Sequence, residues 1–326
     1  MKIDLLEILC CPTCRGELKL EHDGDQADNV SDGQLLCAEC EKSYPISNGI
    51  PRFVEADNYA ASFGYQWNLF RKEQLDRYNG TTLSADRFWA ETGWEQAAMA
   101  GKWVLDVGCG AGRFLEVASR TKARVVGMDI SNAVDAALSN LSDRPNVQLV
   151  QASIYELPFK PEAFDMAYCI GVIQHTPEPK RSLSSIAQIV KKGGQLAVTI
   201  YPRNRWTLLH SKYWFRPLTK TLSKESLLKL IQRLMPVAFP VTSMLFRVPV
   251  VGRFFMFGIP VANYVNEPQL DGRLRYSWAV LDTFDMLSPQ FDQPMTEDEA
   301  RTALDAAGMS VERLPNPGLN LLAIRK

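Results

Sequence analysis

The chain has 326 residues, 46% of them hydrophobic, with 36 Lys and Arg against 37 Asp and Glu. That is enough apolar bulk for one large α/β domain plus a smaller module, and it excludes a disordered or low-complexity chain. The net charge of -1 hides a division: residues 1–56 carry eleven acidic against five basic side chains, and residues 203–256 carry ten basic against the single Glu225. Two such regions should face different partners.

The opening "MKIDLLEILCCP" has acidic residues in its only apolar run and no small-residue cleavage site, so no secretory signal is expected and a reducing cytoplasm is the default compartment. Seven cysteines in that setting read as ligands or core rather than disulfides. Cys11 and Cys14 form "CPTC", Cys37 and Cys40 form "CAEC", and the 22 residues between the pairs can make a hairpin that brings them together. This is the spacing of a structural zinc ribbon, closed by four thiolates with no open position. Gly16 is expected to adopt the left-handed conformation that aims backbone N–H groups at sulfur. The segment is too small and polar to fold unaided, so the metal would supply the missing free energy. Cys10 is a bystander, and His22 sits in an acidic linker without a constellation.

Downstream, "FGYQWNLF" spaces Phe63, Tyr65, Trp67 and Phe70 like a helix or turn, either over a ligand pocket or in the core. "WVLDVGCGAGRF", Trp103 to Phe114, then reads as a buried strand, a glycine turn and a helix, the arrangement that cradles a nucleotide-bearing cofactor. Asp106 at the strand end would repel a pyrophosphate but attract ammonium and sulfonium charges. Arg113 also stands where a dinucleotide fingerprint wants its third glycine. S-adenosylmethionine is therefore preferred to NAD.

Short apolar runs alternating with helical stretches predict a doubly wound, mostly parallel sheet with ligands at the strand ends. "ARVVGMDIS" is the second strand, ending at Asp129, whose carboxylate can accept from both ribose hydroxyls or serve a helix start beside Ser131. "NVQLVQASIYELPF" is the third, with Ser153 and Ile154 in the loop beyond it, and "AFDMAYCIGVIQHTPEP" the fourth, opening into a loop that holds His175. "GGQLAVTIYP" is the fifth, preceded by a Lys191–Gly194 turn that should end a helix. Cys109 lies in the glycine turn and Cys169 at the end of the fourth strand. His175 is the candidate catalytic base, with loop orientation alongside Gln174 as the competing role.

Between the fifth strand and the last helix lies a basic, greasy insertion, 203–265, containing Trp206, Trp214, Phe254, Phe255 and His210. Two readings stand. It is a lid whose apolar face covers the acceptor pocket with lysines toward water, or a set of helices that lie on an anionic bilayer through residues 205–262. Pro236, Pro240, Pro249, Pro260, Arg247 and Arg253 keep it from spanning one. "TEDEARTALDAAGM" follows, with Thr296 and Glu299 as a capping box and Gly308 as its stop, then "VERL" and "LNLLAIR" as a closing hairpin.

Two resemblances emerge from these motifs. "LLEILCCPTCRGEL" and "CAECEKSYPISNGIP" resemble the ribbon of small zinc proteins that partner transfer-RNA and protein methyltransferases, a ribbon also fused in front of bacterial methyltransferases; Glu41 stands where such ribbons carry Gly or Asn. "VLDVGCGAGRF", "VVGMDIS", "ASIYELPF", "GVIQHTPEP" and "VKKGGQLAV" fall in the order of a class I S-adenosylmethionine-dependent methyltransferase. The resemblance implies a seven-stranded sheet behind a zinc ribbon at 1–56 and an aromatic lead-in at 57–102, with the methyltransferase domain at 103–326. It further implies that Asp106, Gly108, Cys109, Gly110 and Gly112 hold the methionine part, Asp129 the ribose, and Ser153 with Ile154 the adenine, while Ile130 and Cys169 complete the candidate contacts.

The expected activity is O- or C-methylation of a small-molecule or lipid-like acceptor. An RNA methyltransferase is the rival reading, opposed by the acidic ribbon, and no nucleic-acid partner is expected. A non-catalytic S-adenosylmethionine-binding partner protein is the second rival. The sequence assigns no oligomeric state.

Overall fold

The computed structural model describes residues 1–22, 29–55 and 58–326. The expected boundary at 56/57 falls outside the described residues. The first described module is an antiparallel four-stranded sheet: β1 (Leu18–Glu21), β2 (Gly33–Cys37), β3 (Ser43–Ser47) and β4 (Ile50–Pro51). Its turns bring Cys11 Sγ to 3.6 Å from Cys40 Sγ and Cys14 Sγ to 3.4 Å from Cys37 Sγ, with all four sulfurs within 4.8 Å of one another. Four thiolates about 2.3 Å from one ion would lie about 3.8 Å apart, so the cluster is positioned to bind zinc. Arg15 and Glu41, at φ 67° and 57°, adopt the left-handed backbone here rather than Gly16. Gly16 answers a different need, since a Cβ there would lie 2.7 Å from the Glu39 side chain.

Helices α1 (Ala61–Leu69), α2 (Asp76–Asn79) and α3 (Leu83–Thr92) lead into β5 (Trp103–Val107), which is buried at every position, as a central parallel strand must be. There follow α4 (Arg113–Ser119), β6 (Arg124–Asp129), α5 (Ala133–Leu141), β7 (Val147–Gln151), β8 (Phe164–Ile170), α6 (Pro179–Ile189) and β9 (Val190–Ile200). The insertion supplies α7 (Ser211–Thr219), α8 (Lys224–Leu245) and α9 (Val251–Gly258), and the chain closes with α10 (Gly272–Leu287), α11 (Glu297–Ala306), β10 (Met309–Arg313) and β11 (Leu319–Arg325). The second sheet runs β10-β11-β9-β8-β5-β6-β7, parallel from β9 to β7, with the final hairpin antiparallel at one edge. This is the doubly wound, mostly parallel seven-stranded sheet expected of the sequence.

Local chemistry accounts for the remaining punctuation. Thr296 Oγ1 accepts from Glu299 N, and Glu299 Oε2 accepts from Thr296 N, which closes the capping box of α11. The Lys191–Gly194 turn differs from expectation: it lies inside β9, where pairing jumps from Phe164↔Val190 to Met166↔Gln195 and Gly193 takes φ 73°. The extra residues loop out as a bulge.

The ribbon is welded to the large sheet. Leu5, Leu9, Ile46 and Phe53 share one apolar core with Phe159, Phe164 and Ile186. Cys10 N donates to Pro158 O at 2.9 Å, Lys160 N to Ile8 O at 2.8 Å, and Phe53 N to Gln151 O at 2.8 Å, beside a parallel bridge between Arg52 and Gln151. The last contact covers part of the open edge of β7. Loss of the metal should therefore destabilise the whole chain. Chelation, or Cys37→Ser, is expected to release zinc, read by mass spectrometry, and to lower the melting midpoint by about 5 °C or more, the consequence of a few kcal/mol. An unchanged midpoint after zinc loss would disprove the coupling.

Candidate active site

Strand order reverses between β5 and β8, and a cavity of about 820 Å³ opens at their C-terminal ends. Its floor is the turn after β5, where Gly108, Gly110 and Gly112 hold φ of 80°, 52° and 87°. Only glycine adopts such angles cheaply, and a Cβ at Gly108 would lie 2.6 Å from the Val172 side chain. Asp129 fastens this turn from the neighbouring strand: its Oδ2 accepts from Gly110 N at 3.0 Å, and its Oδ1 accepts from Ser131 N at 2.8 Å and Ser131 Oγ at 2.7 Å. Burial raises the Asp129 pKa, and these donors oppose the rise.

Gly108, Cys109, Gly110, Asp129, Ile130, Ile154 and His175 all line the cavity. Asp106, Gly112, Ser153 and Cys169 do not. Asp106 lies behind the turn, 2% exposed, with Oδ2 unpartnered. Burial pushes its carboxyl up to about 8, against the nearby Tyr168 hydroxyl and with the help of the Asp129 charge. Gly112 faces α5, where a Cβ would stand 2.9 Å from Leu141. Ser153 Oγ accepts from Tyr155 N, and Cys169 is buried in the core shared with the ribbon.

His175 ends a single 3-10 turn, Ile173–His175, between the rings of Phe63 and Tyr201, whose centroids are 5.2 Å and 5.5 Å away. Its Nδ1 lies 3.0 Å from Phe291 O. A carbonyl only accepts, so Nδ1 is the donor here, and in the neutral ring Nε2 is then the acceptor. The aromatic run along α1 and just beyond it is shared out: Phe63 lines the cavity, Tyr65 and Phe70 pack with α8 and α10, and Trp67 does both.

The insertion closes one side through His210, Lys212 and Tyr264. On α7 the polarity is the reverse of the expected lid. Lys212 Nζ turns inward to Asp292 Oδ2 at 2.7 Å, and Arg216 donates to Met286 O and Pro289 O. Trp214, Phe215 and Leu218 point outward, 66%, 47% and 69% exposed. Positions 212, 216 and 219 share one helical face, which is drawn to the carbonyls freed where α10 ends. The segment after α10 also holds the His175 turn: Gln293 N donates to Gln174 O, and Gln293 Nε2 to Thr176 O.

Motif reading passed over part of the lining. Arg113 donates to Gln74 Oε1 at 2.8 Å and Ser84 Oγ at 3.0 Å, and burial beside Arg87 lowers its pKa to about 9. Asp282 is half-buried, and loss of water around it together with the Asp285 charge raises its carboxyl to about 7. Only the odd position of Arg113 in the glycine pattern hinted at this polar wall.

Residues 105–198 match the family described as "Methyltransferase domain", and residues 2–49 match "Trm112p-like protein". The chain thus carries a segment that matches a methyltransferase domain behind one that matches a Trm112p-like protein. It is 34% identical over 113 residues to the ubiquinone biosynthesis O-methyltransferase of Saccharophagus degradans, covering 34% of this chain and 48% of that protein. The enzyme of the same name from Coxiella burnetii is 31% identical over 132 residues, 39% of this chain and 56% of the relative. The chain thus spans about half the length of the curated relatives it matches. Among solved structures, a chain in the complex of the Haloferax volcanii Trm112 methyltransferase activator is similar at 16% identity and a TM-score of 0.43, covering 76% of this chain and 96% of that one.

The methyltransferase domain suits S-adenosylmethionine on two structural grounds. The glycine cradle opens directly on the cavity, and the unpartnered Asp106 carboxyl behind it is the uncompensated group that ammonium and sulfonium charges relieve. Asp129→Asn should weaken S-adenosylmethionine binding about tenfold or more, since an amide is a poorer acceptor for the Gly110 turn and for ribose hydroxyls. Calorimetric titration measures it, and wild-type affinity would remove Asp129 from the site.

Proposed function

We propose that the chain transfers a methyl group from S-adenosylmethionine to a small-molecule or lipid-like acceptor, at oxygen or carbon, in the cytoplasm and in contact with the membrane periphery. The observation that carries this reading is the continuity of one cavity from the glycine turn, past His175, to the inner edge of the insertion. The names of the partial relatives, ubiquinone biosynthesis O-methyltransferases, favour oxygen. On this reading the working units are a zinc ribbon at 1–56, a lead-in at 57–102, and a methyltransferase domain at 103–326 with its insertion at 203–265.

When bound, S-adenosylmethionine supplies an electrophilic methyl carbon on a good leaving group, so holding the reactants in line accounts for most of the rate. Asp129 and the glycine turn fix one side, while Phe63 and Trp67 exclude water. His175 Nε2 takes the acceptor's proton, its imidazole held in the required tautomer by Phe291 O.

His175→Gln is expected to lower kcat about a hundredfold or more while leaving S-adenosylmethionine affinity near wild type. Release of S-adenosylhomocysteine with extract-derived acceptors provides the assay. Undiminished turnover would reject the base, and no methyl consumption with any acceptor would reject the enzyme reading in favour of a binding protein.

A further inference from the structure

The insertion presents an outer face that none of the described residues covers. Along α8, Leu230, Leu234, Val237, Val241 and Met244 recur at helical spacing and are 43%, 57%, 69%, 44% and 68% exposed. They form a second apolar stripe, beside Leu227, Leu228, Ile231 and Met235, which pack inward against α10. Trp214 and Leu218 on α7 and Phe254 on α9, 66%, 69% and 73% exposed, extend the greasy surface. Water-soluble surfaces rarely tolerate a patch of this extent without a partner.

The charges around the patch identify that partner. Arg205, Lys220, Lys229, Arg233, Arg247 and Arg253 are exposed, and none is paired with a carboxylate among the described residues. A second copy of the chain would set this cationic surface against itself. The acidic ribbon belongs to a different apolar core from α8 and α10, so it does not neutralise the cations from within. No described helix is long and apolar enough to cross a membrane. Apolar side chains at the level of the acyl chains, with basic side chains at the level of the headgroups, are the arrangement of an interfacial helix.

We infer that the outer face of α7, α8 and α9 docks the protein on an anionic lipid bilayer, with the cavity on the inner side of the same insertion. This extends the lipid-like acceptor reading by naming the surface from which such an acceptor is drawn. Docking itself does not depend on methyl transfer.

The test is co-sedimentation of the full chain with phosphatidylcholine vesicles, with and without about 30 mol% phosphatidylglycerol. The expected result is pelleting with the anionic vesicles only. The bound fraction should fall about tenfold or more in Leu230→Ser/Leu234→Ser/Val237→Ser, and likewise in Lys229→Glu/Arg233→Glu. S-adenosylmethionine titration of each variant checks folding, and the charge variant keeps the test intact if the apolar one misfolds. Failure to pellet, equal pelleting on neutral vesicles, or unchanged pelleting of the folded apolar variant would overturn the proposal. So would a lipid-free dimer in sedimentation equilibrium that the apolar variant abolishes, because the face would then be a contact between copies. Methyl transfer to a soluble acceptor without vesicle binding would overturn the docking surface alone, whereas docking without methyl transfer would overturn only the proposed function.

Discussion

The bond from Gly110 N to Asp129 Oδ2 is the contact on which the site turns. It ties the mouth of β5 to the mouth of β6, beside the position where strand order reverses, and so fastens a turn whose three glycines all adopt positive φ. A closed turn there would leave no cavity. The cost is a carboxylate taken almost wholly out of water, with a second carboxyl, Asp106, buried behind it without a full set of partners. Two acidic groups placed this way suit a cationic ligand better than a pyrophosphate.

How far the sequence reveals this depends on the range of the interaction concerned. The parallel strands were readable because each is a short apolar run bounded by turn residues, and the capping box of α11 because Thr296 and Glu299 lie three residues apart. The four cysteines are legible for the same reason, being two local pairs. Arg15 and Glu41, rather than Gly16, hold the left-handed positions of those turns, and Gly16 is required instead by the Glu39 side chain, a contact that crosses the ribbon. The polarity of α7 was equally hidden. Its apolar face looks like a core face until the free carbonyls after α10, some seventy residues away in sequence, claim Arg216. The Lys212–Asp292 pair and the polar wall of Arg113 and Asp282 likewise exist only because distant elements meet.

The ribbon's place in the molecule follows from what it lacks. A module with so few large apolar residues cannot bury a core of its own, and it borrows one from the underside of the large sheet. In return it supplies backbone partners to Gln151 on the exposed edge strand. Ribbon and edge strand therefore share one core and a backbone contact rather than standing as separate bodies.

The segment from Met286 to Gln293 has two neighbours that share no other hydrogen-bonded link described above. On one flank it receives Arg216 and Lys212 of the insertion; on the other it carries the carbonyl that orients His175 and the amide that grips Gln174. The same eight residues thus brace the insertion on one side and the His175 turn on the other, so that a substitution in this short stretch touches both at once.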